Sequence, residues 1–358
     1  MKICYLIQDF SLGGSTTVVY DLINNAPQSE NIYLLLFFDI FDSRYSQIKN
    51  RNNVEIIYLH KSKTVDFKFL KLLKKTINSI KPDIISCHLS CIFYLTLVYN
   101  LKKSIVFHTI HNRPKKDLPF IYRFILKNKI RKREIKLISC GKSVKCEAEN
   151  YYKVPVYNIQ NGIDVSNSIN SIKYISDDIT FLSIGRFTKV KAVDNVINAF
   201  DLAYKETGSG KLIICGYGPE EKRLKRLVNK KKLSNCVLVL DKTNDVEKLY
   251  CQSQVFCLLS QREGSPIVLL ESMKYGLCAI GTNVQGTRDL IIDGKTGFLV
   301  EYNDIKEAAK KMVFLINNKR RLFEMRKSAL CNAKNFDVSK MADSYYNLFK
   351  LGKKGLLK

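Results

Sequence analysis

The chain has 358 residues, more than one ordinary hydrophobic core accommodates, so its length favours two domains. Its apolar content of 46% is ample for packed cores and gives no indication of bulk disorder. The net charge of +26 favours a negatively charged partner such as nucleic acid, a phosphorylated substrate or an anionic lipid surface. A lysine-rich genomic composition explains the same charge, and that alternative stays open.

Cysteine content and apolar stretches indicate the compartment. The eleven cysteines are scattered and form no Cys-x-x-Cys pair, which favours reduced packing residues over a disulfide framework or a zinc site. The N-terminus lacks the long apolar core and cleavage site of a signal peptide. The longest apolar stretches, Ile32–Phe38 and Cys91–Tyr99, are far shorter than a membrane span. The sequence therefore predicts a cytoplasmic protein, soluble or peripheral on the inner face of the plasma membrane.

Short apolar runs typical of buried strands recur through the first half of the chain. They lie at residues 2–7, 32–38, 54–59, 84–87, 105–109 and 137–139. Helical patterns between several of them predict a mostly parallel α/β sheet. After the first run, Gly13 and Gly14 precede an apolar helical segment, Val18–Ile23. This glycine pair is either a plain tight turn or a loop that lets the backbone approach a ligand.

Residues 65–80 predict an amphipathic helix with lysines beside its apolar stripe. Leu70, Leu73, Ile77 and Ile80 share one face at helical spacing. The interleaved lysines are Lys68, Lys71, Lys74 and Lys75. A second basic cluster runs over residues 113–136. A core-packed helix with a solvated face and a surface that docks on anionic lipid both explain these clusters.

Three histidines fall near the ends of predicted strands. His88 ends one strand, and His108 and His111 close the next. Because ligands of parallel α/β folds bind at the carboxyl ends of the strands, polar residues there are candidates for function. One member of the 108–111 pair could equally be a core histidine. A zinc site is disfavoured, since no third ligand follows at short spacing.

The second half begins a new α/β set. A turn signature at 157–164 and a polar stretch at 165–179 predict a linker. Strand-like runs follow at 179–184, 211–215, 237–240 and 255–259. The segments 277–281 and 294–300 come next, with a turn at 286–289 between them, and a helical pattern continues from Ile305.

One loop of this second set carries residues suited to a phosphate, and the next forms a tight turn. Arg186 and Lys191 follow a predicted strand and could converge on one pyrophosphate, or they could be solvated loop charges. Residues 216–220, Gly-Tyr-Gly-Pro-Glu, predict a tight turn into a helix.

Residues 262–271 place two carboxylates, Glu263 and Glu271, on either side of a predicted helix start. Ser265 suits the N-cap and Pro266 the first helical position, so Glu271 should lie about two turns along the helix. Unpaired amides at a helix start favour an anion. A capped surface helix with two solvated carboxylates is the alternative, and these residues alone do not separate the two interpretations.

The ordered set of these motifs resembles the retaining nucleotide-sugar glycosyltransferases of family 4 (group 1), which have the GT-B fold. The matching motifs are Gly13-Gly14, residues 82–88 and 109–112, Asn161-Gly162-Ile163-Asp164, Gly185-Arg186 with Lys191, residues 216–219, the Glu263 to Glu271 element, Gly286 and residues 296–300. The resemblance covers nearly the whole chain and is strongest over 180–300. It implies two Rossmann-like domains that face each other across a cleft. The expected bounds are 1–165 for the acceptor-side domain, 175–339 for the donor domain, and a helix at about 340–358 that crosses back to the first domain.

The resemblance also implies roles for single residues. Arg186 and Lys191 would hold the donor pyrophosphate and stabilise the leaving diphosphate without a metal or other cofactor. Glu263 would contact the donor sugar, and Glu271 the ribose. His111 would lie near the donor sugar, and Gly14 in the loop over the phosphates. Gly216 is a further implied donor contact. The amides of the segment Gly264, Ser265, Pro266, Ile267 and Val268, other than that of the proline, would face the phosphates.

Two departures from the family pattern stand near this site. The usual Lys-Gly pair is Lys191-Ala192, and Asp241 replaces the glycine expected after the 237–240 strand. The second departure puts base or phosphate contacts at that strand end in doubt. None of the expected donor ligands is missing.

The predicted function is a retaining glycosyltransferase of bacterial surface-polysaccharide assembly. It would move a sugar from a UDP- or GDP-sugar to a glycan or lipid-linked glycan, with an anionic membrane surface as a further partner. The enzymatic alternative is a GT-B nucleotide-sugar epimerase or hydrolase, which needs no acceptor. The non-enzymatic alternative is an anion-binding module for nucleic acid. Nucleic acid is not the expected partner, because the basic clusters lack aromatic residues spaced for base stacking.

Overall fold

The structure is a computed structural model that describes residues 1–62, 66–111, 114, 120–166, 172, 178–241, 243 and 245–357. The predicted linker at 165–179 and the first part of the second basic cluster lie largely outside these residues, as does the last residue of the 109–112 motif. The chain forms two compact units. Residues Met1–Gly162 and Val338–Lys358 form the first domain, and Ile163–Asp337 form the second.

The first domain is built on a seven-stranded parallel sheet in the order β3-β2-β1-β4-β5-β6-β7. Its strands are β1 (Lys2–Ile7), β2 (Asn31–Leu36), β3 (Val54–Tyr58), β4 (Ile84–His88), β5 (Ile105–Ile110), β6 (Ile135–Ser139) and β7 (Val156–Asn158). The helices that follow them in this part of the chain are α1 (Gly14–Asn24), α2 (Phe67–Ile80), α3 (Cys91–Val98), α4 (Phe120–Arg131) and α5 (Lys142–Tyr152). Short 3-10 turns cover Ser43–Asn50 and Leu101–Lys103.

The strand order of the first sheet reverses between β1 and β4, which pair in parallel register with Ile3 opposite Ile84. Ligands of open α/β sheets bind at such a reversal, outside the carboxyl ends of the strands. The loop with Gly13 and the last residue of β4, His88, both lie at this end of the sheet. The topology therefore marks the same strand ends that the sequence pattern marked.

The second domain is a six-stranded parallel sheet in the order β10-β9-β8-β11-β12-β13. Its strands are β8 (Thr180–Ile184), β9 (Lys211–Cys215), β10 (Val237–Leu240), β11 (Val255–Leu258), β12 (Cys278–Thr282) and β13 (Gly297–Val300). Its helices are α6 (Val193–Thr207), α7 (Glu221–Lys230), α8 (Val246–Cys251), α9 (Ile267–Lys274), α10 (Gln285–Arg288), α11 (Ile305–Asn317) and α12 (Lys319–Ala333), with 3-10 turns at Lys189–Lys191 and Lys334–Phe336. The order reverses between β8 and β11.

The buried faces of the elements explain this architecture. The strands are apolar on both faces because helices cover both sides of a parallel sheet, as in β11, whose four residues are all buried. One core of the second domain collects Phe181, Phe200 and Met312, all fully buried. The prediction of two Rossmann-like α/β domains is confirmed.

The last helix, α13 (Val338–Lys353), packs on the first domain although it follows the second in sequence. The hydroxyls of Tyr5 on β1 and Tyr346 on α13 lie 3.1 Å apart. Tyr346 also donates to the carbonyl of Leu22 on α1 at 2.8 Å. Both tyrosine rings are buried, so this helix is part of the first domain's core.

The lysine-rich helix α2 begins two residues later than the predicted start at 65, and Asp66 caps it by accepting from the amide of Phe69. Leu73, Ile77 and Ile80 are buried as predicted, Leu70 is only partly buried, and Phe69, next to Lys68, is buried as well. The four lysines are exposed, and so is Phe67 at 78%. Within the described residues, no helix has the length and apolarity that crossing a membrane requires.

Candidate functional site

The loop after β8 carries both predicted cationic ligands. It leaves the strand at Gly185 and closes in the 3-10 turn Lys189–Lys191. Ala192 then adopts a left-handed conformation, with φ 45° and ψ 45°. Glycine occupies such a conformation without a Cβ penalty, so the alanine that replaces the family's glycine folds here at a cost.

Lys191 and Glu263, two residues that the sequence assigned to the same ligand, are in direct contact. The Lys191 ammonium lies 2.7 Å from one carboxylate oxygen of Glu263 and 2.9 Å from the other. The two loops are tied by the amide of Gln261, which donates to the carbonyl of Val190 at 2.8 Å. The Glu263 side chain is only 8% exposed and that of Lys191 is 28% exposed, so the pair is shielded from water on most sides.

Arg186 is exposed and leans on the loop after β9. Its guanidinium carbon lies 6.0 Å from the centre of the Tyr217 ring. The amide of Phe187 donates to the Tyr217 carbonyl at 2.7 Å. A Cβ at Gly216 would stand 1.9 Å from the Gly185 carbonyl oxygen, so only glycine lets these two loops approach so closely.

The predicted start of the helix after Glu263 is wrong by one residue. Helix α9 begins at Ile267, and its N-cap is Pro266, with φ −72° and ψ 109°, rather than Ser265. The carbonyl of Pro266 accepts from the amides of Leu269 and Leu270. Proline can occupy the cap because the capping function shown here uses its carbonyl, which proline retains. Glu271 is consequently the fifth residue of the helix, about one turn along instead of two.

Glu271 is held by a buried tyrosine that the sequence analysis missed. The Tyr250 hydroxyl donates to a carboxylate oxygen of Glu271 at 2.9 Å and lies 3.2 Å from the Val268 carbonyl. Tyr250 stacks on Tyr275 with ring centres 5.3 Å apart and planes within 7°. Burial, followed by the charge of Glu271, raises the pKa of Tyr250 well above its usual value, so its hydroxyl keeps the proton it donates.

Gly286 fixes the loop of Glu263 from the opposite side. Its amide donates to the Glu263 carbonyl at 3.1 Å. A Cβ at this position would lie 2.6 Å from the carbonyl carbon and oxygen of Gly264. The backbone between β11 and α9 is therefore clamped between Gly286 and the loop of Val190, which orients the Glu263 side chain.

The first domain holds the other two predicted residues, Gly14 and His111. Gly14 is the exposed first residue of α1, after a Gly13 cap with extended backbone. His111 follows β5, and its Nε2 lies 2.9 Å from Nδ1 of His88 at the end of β4. The sequence had marked both histidines by their places at strand ends, but it did not predict that they touch.

The clustered side chains suit a phosphorylated ligand. Lys191 beside Glu263 and the exposed Arg186 at the end of the neighbouring strand β8 offer positive charge, the amino end of α9 offers backbone donors, and Glu263 and Glu271 offer acceptors for hydroxyl groups. Within the described parts of the chain, no three His, Cys, Asp or Glu side chains converge as they would around a metal ion.

Comparison with solved structures defines the class. The structure of Anabaena HepE in complex with UDP and glucose superimposes with a TM-score of 0.82 over 98% of this chain and 99% of that chain, at 16% identity. The chain therefore has the GT-B fold of glycosyltransferases. Residues 164–336, which make up nearly the whole second domain, match the family model of the glycosyl transferases group 1.

Two curated relatives extend the similarity. An uncharacterized glycosyltransferase of Haemophilus influenzae is 31% identical over 46% of this chain, and the match spans 47% of that relative, about half its length. A Campylobacter jejuni α-1,4-N-acetyl-D-galactosaminyltransferase is 25% identical over 97% of this chain and 98% of its own. The name of the latter gives its acceptor as a GalNAc-containing glycan on diphosphoundecaprenol.

Proposed function

We propose that the protein is a retaining glycosyltransferase that moves a sugar from a UDP- or GDP-sugar to a glycan or a lipid-linked glycan. The observation that carries this proposal is the Lys191–Glu263 pair, placed where the strand order of the second domain reverses. A cation and a carboxylate locked together at such a reversal match a ligand that has a phosphate next to hydroxyl groups.

In this proposal the donor diphosphate lies against the cationic loop after β8. Arg186 offers a planar fork and Lys191 a point charge, and both stabilise the negative charge that develops on the leaving diphosphate. The resident charges take the place of a metal, and no cofactor is required. The amides from Gly264 to Val268, other than that of Pro266, add donors to the phosphates.

The carboxylates are assigned to the hydroxyls of the donor. Glu263, oriented by Lys191 and the backbone clamp, accepts from the sugar hydroxyls. Glu271, oriented by Tyr250, accepts from the ribose. His111 is assigned to the donor sugar by the resemblance alone. Retention follows from attack on the face that the diphosphate leaves, with the departing phosphate accepting the acceptor's proton.

The choice of acceptor is supported by the Campylobacter relative, whose alignment covers almost the full length of both chains. We therefore place the activity in the assembly of a bacterial surface polysaccharide. The choice of UDP as one candidate nucleotide is supported by the UDP complex of HepE.

A nucleotide-sugar panel tests the donor site. Bound donor raises the apparent stability of the chain, so the right UDP- or GDP-sugar should raise its melting temperature. Lys191→Met should abolish this shift, while Lys189→Met, in the same 3-10 turn and exposed, should keep it. An equal shift in both variants would reject the assignment of Lys191.

Turnover separates the transferase from an epimerase or hydrolase of the same fold. A transferase releases nucleotide only when a glycan or lipid-linked acceptor is added. Nucleotide release or sugar epimerisation at the same rate without any acceptor would reject the transferase. Proton NMR of the product gives the anomeric configuration, and inversion relative to the donor would reject the retaining mechanism.

We also propose that α2 docks the protein on an anionic membrane surface. Four exposed lysines and the exposed ring of Phe67 stand on one helix, and each lysine near such a surface contributes about 1 kcal/mol. Replacing Lys71, Lys74 and Lys75 with glutamate should reduce binding to phosphatidylserine vesicles. The matched control replaces three other exposed lysines: Lys222, Lys230 and Lys232. Equal loss in both triple variants would show that net charge, and not this helix, causes the binding.

A further inference from the structure

Two imidazoles meet at the carboxyl ends of adjacent strands in the first domain. His88 is the last residue of β4, and His111 follows Ile110, the last residue of β5. Nδ1 of His88 and Nε2 of His111 are 2.9 Å apart, with ring centres 5.2 Å apart. At this distance one nitrogen donates its proton and the other accepts it.

The other nitrogen of His88 is engaged as well. Its Nε2 lies 3.2 Å from the hydroxyl oxygen of Ser86, two residues earlier on the same face of β4. Both His88 and Ser86 are completely buried. Among the described residues, His108 also acts on the charge of His88, and the ring centre of Tyr5 lies 6.3 Å from that of His88.

The buried histidine is neutral. Burial, and then the neighbouring His111 and His108, lower the pKa of His88 well below its usual value. A neutral imidazole carries one N–H, so its two nitrogens must play opposite roles. If Ser86 donates to Nε2, then Nδ1 donates to His111; if His111 donates to Nδ1, then Nε2 donates to Ser86. In either sense the proton on His88 dictates which nitrogen of His111 carries a proton.

We propose that His88 is a positioning residue that holds the ring of His111 in one orientation and one tautomer, through the contact between Nδ1 of His88 and Nε2 of His111. This inference rests on the proposed function, because His111 is the histidine assigned there to the donor sugar. A fixed tautomer determines whether Nδ1 of His111 carries a proton, and so which hydrogen-bonding role that nitrogen has in the site. Partners that orient metal-bound histidines typically affect activity by about 10- to 100-fold, and we expect an effect of similar size here.

Two substitutions at position 88 each keep a polar group at the place of one ring nitrogen and remove the other. In His88→Asn the amide occupies the place of Nδ1, so it still reaches His111 but loses Ser86. In His88→Gln the amide reaches the place of Nε2, so it contacts Ser86 but leaves His111 without this partner. The expected result is that Gln lowers kcat about 10-fold or more while Asn restores most of it, with the KM for donor changed little in both. Equal kcat in wild type and His88→Gln would overturn the proposal.

A spectroscopic measurement tests the contact without any substrate. Long-range ¹H–¹⁵N correlation spectra report the tautomer of each imidazole, and the chain has only four histidines to assign. At about pH 8, where ordinary imidazoles are neutral, His111 of the wild-type chain should show a single tautomer. A mixture of both tautomers in the wild type would overturn the proposal even if the variants at 88 failed to fold.

The two proposals fail in different ways. If His111→Ala retains full transferase activity while the wild-type spectrum shows one tautomer, the functional role of His111 is wrong and the contact stands. If His111→Ala loses activity but the spectrum shows both tautomers, the donor-site role stands and the positioning role of His88 is wrong.

Discussion

The ion pair between Lys191 and Glu263 is best tested by a double-mutant cycle on the free energy of unfolding. Lys191→Met removes the ammonium but keeps much of the length of the side chain, and Glu263→Gln keeps the shape of the carboxylate. Exposed ion pairs contribute about 0.2–1 kcal/mol, whereas breaking a fully buried pair costs about 3–5 kcal/mol. With Glu263 8% exposed and Lys191 28% exposed, each single substitution should cost about 2 kcal/mol.

The coupling energy between the two substitutions isolates the contact itself. Because Lys191 touches both carboxylate oxygens, the double variant should be more stable than the sum of the single effects predicts, by about 1–2 kcal/mol. Urea unfolding of the full chain, followed by circular dichroism because the sequence has no tryptophan, gives the four free energies.

An exposed pair at a similar distance serves as the control. Lys225 and Glu221 lie 2.8 Å apart on α7, with side chains 45% and 31% exposed, and should couple more weakly because water screens them. A coupling energy for Lys191 and Glu263 no larger than that of this control would refute the reasoning that burial makes the site pair strong.

Three further predictions concern single residues. Tyr250→Phe removes one hydrogen bond to the Glu271 carboxylate without opening a cavity, so the free energy of unfolding should fall by about 1.5–3 kcal/mol. The Kd for the donor nucleotide, measured by calorimetry, should rise, and an unchanged Kd would contradict the role given to Tyr250. Ala192→Gly removes the strain of an alanine in the left-handed conformation, about 1–2 kcal/mol, which exceeds the cost of the conformational entropy that glycine adds to the unfolded chain. The free energy of unfolding in urea should rise by up to about 1 kcal/mol, and a fall would contradict the strain. The lowered pKa of His88 keeps it neutral in the folded chain, whereas it titrates normally in the unfolded chain. The stability it contributes above the unfolded pKa is therefore lost as pH falls, at up to about 1.4 kcal/mol per pH unit below about pH 6.5. The pH dependence of the unfolding free energy should be shallower in His88→Gln, and equal slopes would contradict the lowered pKa.

The fold could be predicted from the sequence because parallel strands buried on both faces leave continuous apolar runs. The run at 32–38, for example, became β2, Asn31–Leu36, and every predicted strand of the second half is a strand of the sheet. The location of candidate site residues at strand ends could also be predicted, because Arg186, Glu263 and His88 all lie where a predicted strand stops. These positions depend on local pattern alone.

The contacts inside the site could not be predicted, because they depend on how distant loops pack. Lys191 and Glu263 are 72 positions apart, and they meet because the strands before them, β8 and β11, pair in the sheet and the backbone of Gln261 bonds to that of Val190. The contact of Tyr250 with Glu271 depends in the same way on the packing of α8 against α9. The prediction of Ser265 as the N-cap was wrong by one residue. Serine is preferred over proline at N-caps, yet the helix begins at Ile267, directly after Pro266.

The helix α13 delays completion of the first domain during synthesis of the chain. Its aromatic residues fill the first domain, where Phe349 packs 5.1 Å from Phe107 and Tyr346 bonds to Tyr5, 341 positions earlier. A ribosome makes the whole second domain before it makes this helix. The domain translated first is thus finished last, and deletions or tags at residues 338–353 should disturb its core rather than that of the second domain.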